Sequence, residues 1–251
     1  MNFKTLNLRF LIVFCAAGFI LSLMTGCTLF RKSDMARATP EGLYLKGYEY
    51  YQNGRYAKAV ASFERVRDEY PMSELAILAK LGIGDAHYSD KEYAEAEAAY
   101  SDFVYLHPTN ENLPYVMYQL GMCHYQQMLS IDRDDAETRK AAKEFEKLLA
   151  RFPNSKFTLM AEKKLRECRG RIAEHEFYVG EFYFKQKKYQ AALNRFETID
   201  REYANLGLDY KVDIYIQETK KRVTEEEASK KEKEKKQLKS AKIPENSKLA
   251  K

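Results

Sequence analysis

Small and aromatic residues recur along the chain at fixed spacings. A glycine is followed twelve residues later by an alanine and, four residues further on, by an aromatic residue, and the set returns 37 residues downstream. The sets are Gly47, Ala59 and Phe63; Gly84, Ala96 and Tyr100; Gly121, Ala141 and Phe145, where an insertion lengthens the first interval; and Gly180, Ala192 and Phe196. Because residues four apart share one face of an α-helix, each set predicts two helices that pack closely through small side chains.

Turn and stop signals bound these helices. Asn53-Gly54 and Ser89-Asp90 are typical of tight turns and fall inside the first two sets. Pro71, Pro108 and Pro153 each lie eight residues after the aromatic residue, where a proline ends the second helix. The chain lacks tryptophan and is poor in glycine and proline, a composition that favours helix. The sequence therefore predicts an all-α chain of helical hairpins.

The spacing resembles that of the tetratricopeptide repeat, although the tryptophan that begins that family's pattern is missing. The resemblance implies a right-handed superhelix of about five hairpins whose first helices line a concave face. Residues 155–171 predict one long helix, residues 173–186 the next, and residues 209–222 a last helix. The Lys- and Glu-rich residues 225–251 are predicted to be a disordered tail or a frayed, solvated helix, with membrane phosphates as a further candidate contact of its lysines.

The N-terminal residues have the pattern of an export signal. Basic residues precede an uninterrupted apolar run at residues 10–24, and two small residues precede Cys27. Residues 23–27, Leu-Met-Thr-Gly-Cys, resemble a bacterial lipobox with methionine at the position where leucine is usual. The resemblance implies that Cys27 is lipidated, becomes the mature N-terminus and attaches the chain to a membrane through acyl chains.

The residue after Cys27 bears on the destination of the chain. Thr28 is not the aspartate that retains lipoproteins in the inner membrane, so the resemblance implies the outer membrane. The alternative is an uncleaved span that continues to the basic residues Arg31 and Lys32. The predicted divisions are a signal peptide at 1–26, the lipidated cysteine and a tether at 27–39, an N-terminal repeat half at 40–153, a C-terminal repeat half at 154–224 and the charged tail at 225–251.

Tyrosine is frequent at the positions that face the groove in a tetratricopeptide array. These positions hold Tyr44, Tyr48, Tyr51, Tyr88, Tyr115, Tyr118 and Tyr125. Tyrosine offers a large contact area at low entropy cost, together with a hydroxyl for backbone groups. The stripe therefore predicts a binding site for an extended peptide. The alternative is that several of these rings pack between neighbouring helices.

No motif in the sequence indicates catalysis, a cofactor or a metal. The histidines are scattered, the cysteines lack metal-ligand spacing, and there is no phosphate loop or HExxH motif. The mild net charge of +5 and the absence of a basic aromatic stripe argue against nucleic acid binding. We therefore expect a non-catalytic protein. Cys123 and Cys168 fall in predicted helices and are either buried thiols or, in an oxidising compartment, a disulfide pair.

Several stretches narrow the resemblance. They are Tyr-Val-Met-Tyr at 115–118, Asp-Arg-Asp-Asp at 132–135 in the insertion, and Arg-Phe-Pro-Asn-Ser at 151–155. Together with the lipobox and the repeat layout, they resemble the BamD family, lipoproteins of the outer-membrane β-barrel assembly machinery. The resemblance covers residues 41–203, and the charged tail departs from it.

The resemblance implies a binding subunit at the periplasmic face of the outer membrane. Its N-terminal half would receive unfolded outer-membrane proteins through a C-terminal strand that is rich in aromatic residues and ends in phenylalanine. Its C-terminal half would dock on a BamA-type barrel protein, alongside other lipoproteins of the machinery. In the family an arginine directly after an asparagine contacts that partner, and Arg195 follows Asn194 here; the alternative is an ordinary solvated arginine. Another periplasmic tetratricopeptide scaffold, for example in cell-wall synthesis and division, is the competing function.

Overall fold

The structure is a computed structural model that describes residues 39–241. The described residues fall into two compact units that divide after Pro108, and regular structure in both consists of helices. This boundary lies one hairpin earlier than the predicted boundary between the repeat halves. The predicted signal peptide and Cys27 lie outside the described residues. Within residues 39–241, no helix is both long enough and apolar enough to cross a membrane.

The first unit contains two helical hairpins. Its helices are α1 (Pro40–Gln52), α2 (Tyr56–Glu69), α3 (Glu74–Ser89) and α4 (Tyr93–Leu106). Each helix packs against the next, and α1 also contacts α3. The hydroxyls of Thr39 and Ser73 accept backbone N–H hydrogen bonds at the starts of α1 and α3, which satisfies donors that the first helical turn leaves open. Because α1 contacts α3, the first helices of the two hairpins lie side by side.

Phe63 occupies the centre of the first unit's core. The buried side chains around it come from α1, α2 and α3, and they are Leu43, Ala59, Val66, Ala79, Ile83 and Ala86. Full burial of a large apolar side chain contributes about 1.5–3 kcal/mol to stability. The core thus joins the second hairpin to the first through the same residues that hold the first hairpin together.

The second unit contains two further hairpins and a final helix. Its helices are α5 (Leu113–Gln126), α6 (Ala136–Arg151), α7 (Thr158–Lys185), α8 (Tyr189–Glu202) and α9 (Asp209–Ala241), each packed against the next. Ala173, Phe177, Ala192, Phe196, Ile199 and Val212 form a buried cluster of α7, α8 and α9. The predicted all-α class, with helices packed consecutively in hairpins, is confirmed.

The glycine of each repeat faces the aromatic ring of the same repeat. A Cβ atom on Gly84 would lie 2.5 Å from Cε1 of Tyr100, and one on Gly180 would lie 2.6 Å from Cε1 of Phe196. Both rings are fully buried, so they have no room to move aside. The fixed spacing in the sequence therefore records a close approach of two helices that only glycine permits. Gly47 faces Phe63 and Gly121 faces Phe145 in the same way.

The turns inside three hairpins share one backbone conformation. The residue seven positions after the repeat glycine has a positive φ, with 67° at Gly54, 64° at Lys91 and 60° at Lys187. Glycine adopts this conformation without steric cost, whereas lysine adopts it at a cost. The sequence signal for the turn is therefore clear at Asn53-Gly54 and weaker in the two later hairpins.

Two helices differ from their predicted bounds. The predicted break between residues 171 and 173 is absent, and α7 runs on through Ile172, which is only 3% exposed. The apolar stripe continues without interruption from Cys168 to Ala173, and the stretch contains no proline, so nothing ends the helix there. The loss of the repeat register in this stretch reflects a long helix and not a boundary.

The last helix, α9, extends beyond the predicted end at residue 222. It reaches Ala241, although every side chain from residue 227 to residue 239 is exposed. Ion pairs one helical turn apart support it, with 2.7 Å between Lys230 and Glu226 and between Lys236 and Glu232. For residues 225–241 the structure therefore has the solvated helix and not the disordered tail.

Candidate peptide-binding and docking residues

Three of the predicted groove tyrosines line a pocket between α1 and α3. Tyr44, Tyr48 and Tyr51 follow one another along the same side of α1. The remaining lining residues are Phe63, Leu78, Leu81, Gly82 and Asp85. The pocket has a volume of about 180 Å³ and lies wholly within the first unit. The first part of the predicted stripe is thus a concave site and not only a row of exposed rings.

Tyr44 and Tyr51 are held by packing. The ring centroid of Tyr44 lies 5.4 Å from that of Phe63, which fixes Tyr44 against the core. Burial raises the pKa of the Tyr44 phenol, and the nearby Asp85 carboxylate raises it further. Tyr51 shares a hydrogen bond of 3.0 Å with Ser89 on α3. Both tyrosines line the pocket; Tyr44 joins its wall to the core, and Tyr51 bridges α1 and α3.

Tyr48 lies at the mouth of the pocket. Its side chain is exposed, with 50% of its surface accessible, whereas Tyr44 and Tyr51 are more deeply buried. An exposed aromatic ring beside a concave apolar surface can cover a ligand at little cost in side-chain entropy. Tyr44 and Tyr51 pack against the buried core cluster and Tyr48 does not, so the removal of Tyr48 alters the pocket while disturbing the core least.

Asp85 is the only charged residue among the described residues that line the pocket. Its Oδ1 atom accepts a hydrogen bond of 2.6 Å from the hydroxyl of Tyr100, a fully buried residue of α4. This bond fixes the position of the carboxylate relative to the apolar walls. The polar character of the pocket is therefore acidic, a property that the tyrosine pattern alone did not predict.

Tyr88 does not line the pocket. Its ring packs edge-on against Tyr93 across the turn of the second hairpin, with 5.5 Å between centroids. Tyr51 and Tyr56 form the same pair in the first hairpin, at 5.7 Å. The recurrence of this edge contact, five residues apart, indicates that the tyrosine at this repeat position stabilises the turn. For Tyr88, the packing alternative matches the observed contact.

Tyr115 and Tyr118 pack against the start of α7. The Tyr118 ring is stacked on Phe157 with 5.7 Å between centroids, and Tyr115 lies 5.7 Å from the same ring. Burial raises the pKa of the Tyr118 phenol. Gln119 donates a hydrogen bond of 3.0 Å to the Tyr115 hydroxyl. Both tyrosines are half-buried, and Phe157 joins them in a cluster that the sequence did not predict.

Tyr125 belongs to a charged cluster between α5 and α7. Its hydroxyl donates a hydrogen bond of 2.6 Å to Glu167, and the Lys164 ammonium lies 4.0 Å from its ring centroid. Lys164 also pairs with Glu167 at 2.9 Å. The hydrogen bond to Glu167 raises the pKa of Tyr125, and burial adds to the effect. The Tyr125 hydroxyl is therefore already engaged in joining two helices.

Arg195 lies on α8 and pairs with a buried carboxylate of α7. Its Nη1 atom donates a hydrogen bond of 2.7 Å to Oε2 of Glu176, while 43% of the arginine side chain is exposed. Arg139 of α6 donates to the other oxygen of Glu176 at 2.6 Å. Only 6% of the Glu176 side chain is exposed. Arg195 is thus held on one side by the fold and open to solvent on the other.

Glu176 is a functional candidate that the sequence analysis missed. It stands four residues before Gly180, and the equivalent positions of two other repeats hold the buried apolar residues Leu43 and Met117, while the third holds Lys80. A carboxylate at a repeat position that is apolar and buried in two of the other three repeats is the signal that could have identified it. Buried carboxylates are costly unless they are paired, so such a residue predicts cationic partners in space.

Residues 39–241 contain neither a candidate metal site nor a disulfide bond. Within this range, no group of His, Cys, Asp and Glu side chains could hold a metal ion. Cys123 and Cys168 are both completely buried thiols that are not joined to each other. Burial raises the pKa of the Cys168 thiol to about 12, which keeps it protonated at neutral pH. Of the two alternatives for this pair, the structure has the buried thiols.

Comparison with known families gives one match over most of the chain. The family described as YfiO, outer membrane lipoprotein, matches residues 36–236. The match therefore includes every described residue from 39 to 236 and ends within the exposed C-terminal part of α9. It also includes Arg195 and all seven tyrosines that the sequence predicted to face a groove.

Individual relatives carry the name outer membrane protein assembly factor BamD. The chain is 27% identical to that of Vibrio cholerae over 212 residues, 78% of this chain and 88% of the relative. It is 30% identical to that of Neisseria meningitidis serogroup B over 175 residues, 66% of each. It is 30% identical to that of Caulobacter vibrioides over 159 residues, which are 63% of this chain but only about half, 52%, of the relative.

Solved structures give weaker similarity. The TPR2AB-domain:pHSP90 complex of yeast Sti1 has a TM-score of 0.43 and 15% identity, with 73% of this chain and 70% of that chain covered. A TM-score below 0.5 supports no inference about binding. Family membership therefore depends on the sequence match.

Proposed function

Because the chain belongs to the YfiO family of outer membrane lipoproteins, whose members are non-catalytic assembly factors, we propose that it binds unfolded outer-membrane proteins and docks on a BamA-type barrel protein. Precursors bind at the pocket between α1 and α3, and the barrel protein binds the second unit around Arg195. Other lipoproteins of the assembly machinery complete the complex. Acyl chains on Cys27 hold the chain at the periplasmic face of the membrane.

The observation that carries the first part is the pocket formed by Tyr44, Tyr48 and Tyr51. Strands of outer-membrane barrels alternate apolar and polar residues and carry girdles of aromatic residues. An unfolded precursor is therefore an extended chain with regularly spaced aromatic side chains. A pocket with apolar and aromatic walls, open at Tyr48, suits one such side chain, and neighbouring backbone groups can bond to tyrosine hydroxyls.

The observation that supports the second part is the half-exposed guanidinium of Arg195. Glu176 pairs with one edge of the Arg195 guanidinium. The exposed edge of the guanidinium can pair with a carboxylate of the barrel protein. Because the pair with Glu176 fixes the side chain before the partner arrives, little rotamer entropy is lost on docking. An arginine held in this way is better suited to recognition than a freely rotating surface arginine.

Photo-crosslinking tests the precursor site. A photoreactive phenylalanine analogue at Tyr48 should crosslink to an unfolded barrel precursor, whereas the same analogue at Tyr105 should not. Tyr105 is a matched control because it is an aromatic residue of the first unit that is 84% exposed and lies outside the pocket. Equal crosslinking from the two positions would contradict the assignment of the site.

Co-purification from native membranes tests the docking site. Arg195→Ala should reduce recovery of the barrel protein. Arg195→Lys should reduce it less, since lysine keeps the positive charge but lacks the planar guanidinium with its several N–H donors. Arg201→Ala is the control on the same helix, with a side chain that is 67% exposed. Recovery at the wild-type level with Arg195→Ala would argue against docking through this residue.

A further inference from the structure

We infer that the exposed part of α9, residues 227–239, carries a lysine stripe that binds the anionic headgroups of a phospholipid surface. The lysine stripe consists of Lys231, Lys235 and Lys239. The inference rests on the proposed lipid attachment at Cys27, which holds the chain beside a membrane, and it adds a second contact with that membrane. One contact is made by acyl chains and the other by charge, so the two can be tested separately.

The lysine stripe follows from the geometry of α9. Successive residues of an α-helix are about 100° apart around its axis, so side chains at intervals of four lie along one face. The three lysines of the stripe stand at this interval, and all three are exposed. No carboxylate lies between them around the helix axis, because the nearest glutamates, Glu227 and Glu232, stand at the two edges of the stripe. The stripe therefore presents positive charge alone.

Two other lysines of the same segment are already paired. Lys230 lies 2.7 Å from Glu226, and Lys236 lies 2.7 Å from Glu232. The carboxylate at one edge of the stripe is therefore occupied by a lysine outside it. Among the described residues, the three lysines of the stripe form no ion pair. The paired lysines support the helix, whereas the lysine stripe keeps its charge for an external anion.

A membrane surface suits the lysine stripe better than a protein surface does. The centres of protein interfaces are poor in lysine and owe their affinity to buried aromatic and arginine side chains. Residues 227–239 offer instead six lysines and one large apolar side chain, Leu238, which is 61% exposed beside the stripe. Each lysine near an anionic membrane strengthens binding by about fivefold. A single leucine can enter the headgroup region without spanning the membrane.

The proposed attachment at Cys27 makes such a contact effective. Three lysines at about fivefold each strengthen binding by roughly a hundredfold in total, which is a weak interaction for a chain in dilute solution. A chain that is already held at a membrane binds it again in an intramolecular step, so a weak second contact is sufficient. Acyl chains and a basic patch together give stable membrane binding. The lysine stripe thus supplies the electrostatic contact, and its strength depends on the content of anionic lipid.

Energy transfer to labelled lipids tests the inference. A fluorescent amino acid replaces Ser229, an exposed residue on the side of α9 opposite the lysine stripe, and acceptor dyes are attached to lipid headgroups. The full mature chain is reconstituted into vesicles of phosphatidylcholine, or of two parts phosphatidylcholine and one part phosphatidylglycerol. Transfer should be higher in the vesicles that contain phosphatidylglycerol, because the stripe brings the helix to the anionic surface.

Replacement of the lysine stripe by glutamine should abolish this difference. The triple variant Lys231→Gln, Lys235→Gln and Lys239→Gln keeps side chains that favour helix and removes three charges. In vesicles with phosphatidylglycerol, it should lower the ratio of bound to free helix at least about tenfold.

A matched control removes the same charge from the other side of the helix. Its substitutions are Lys230→Gln, Lys233→Gln and Lys236→Gln. These lysines lie about 10 Å further from a surface that the stripe contacts, roughly one Debye length, so the ratio should fall less than about threefold. The control also removes both ion pairs that support the segment. If loss of helix were the cause of weaker binding, the control would therefore bind more weakly than the stripe variant.

The outcomes separate the inference from the proposed function. Equal transfer in the two kinds of vesicle overturns the inference, and so does an equal loss of binding in the two triple variants. Flotation of the same samples tests the attachment, because an acylated chain floats with phosphatidylcholine alone. If the chain floats with neither kind of vesicle, the attachment and the inference are both wrong. If it floats only with phosphatidylglycerol present, the attachment at Cys27 is wrong and the lysine stripe is supported.

Discussion

Arg195 and Glu176 form an ion pair in which only one partner is accessible to solvent. The two atoms Nη1 and Oε2 are 2.7 Å apart, and the side chains are 43% and 6% exposed, respectively. Arg139 completes the pairing of the carboxylate from α6. The arginine that is proposed to dock on the partner is therefore also part of the connection between α6, α7 and α8. Its replacement should therefore affect folding as well as the proposed docking.

Arg195→Ala should lower the free energy of unfolding by about 1–3 kcal/mol, because Glu176 remains buried with one of its hydrogen-bond partners removed. Denaturation in urea, followed by circular dichroism, measures this loss. Arg201→Ala, which removes an exposed arginine of the same helix, should change stability by less than about 0.5 kcal/mol. Equal effects of the two substitutions would show that Glu176 does not depend on Arg195.

Gly84→Ala should destabilise the first unit. Its Cβ would enter the space of the buried Tyr100 ring, and overpacking of this kind costs about 1–3 kcal/mol. Gly170→Ala is the opposite case, since a Cβ there meets nothing within 4 Å in the long helix α7. That substitution should raise stability by up to about 1 kcal/mol through helix propensity. Thermal unfolding of both variants checks the prediction, and destabilisation by Gly170→Ala would count against it.

Glu167 should contribute stability that disappears in acid. The hydrogen bond from Tyr125, followed by that from Lys164, lowers the pKa of Glu167 in the folded chain. The contribution is therefore complete above the pKa of an unfolded glutamate, about 4.3, and is lost as the pH falls through the lower pKa of the folded state.

The measurement is the difference in melting temperature between wild type and Glu167→Gln. This difference should be largest at neutral pH and should shrink as the pH falls below about 4. Glu162→Gln, at an exposed position of the same helix, controls for the change in net charge. A difference between wild type and Glu167→Gln that is constant from neutral to acidic pH would disprove the assigned role.

Cys123 and Cys168 should resist alkylation in the native state. Both are fully buried, and the pKa of Cys168 is raised to about 12, so almost no thiolate is present at pH 7. Iodoacetamide followed by mass spectrometry should find both unmodified in the folded chain and both modified in urea. Recovery of a disulfide-linked peptide containing the two residues is the outcome that conflicts with the structure.

The hairpins could be predicted because their packing requires particular residue types at short, fixed separations in the sequence. The contact between Gly84 and the Tyr100 ring fixes two residue types at a fixed separation, and the other repeats preserve it. The continuity of α7 could not be predicted in this way. Its first half lacks the glycine–aromatic pair, and the repeat pattern alone does not distinguish a long helix from two shorter ones.

The tyrosine stripe could be predicted as a set but not residue by residue. Tyr48 and Tyr88 are similar in sequence terms, yet Tyr48 lies at the mouth of the pocket and Tyr88 packs on Tyr93. The difference depends on the helix that each ring meets. The pairing of Glu176 with Arg139 and Arg195 likewise joins residues far apart in the chain, and no local spacing encodes it.

Helix α9 continues well past its last buried side chain. Thr219 is fully buried, and the helix ends at Ala241, which at 1.5 Å per residue places its end roughly 30 Å further on. Six lysines and two glutamates lie between residues 229 and 239. Since exposed ion pairs support this part of the helix, salt that screens them weakens it. Ionic strength therefore controls how far from the folded unit this cationic segment is presented.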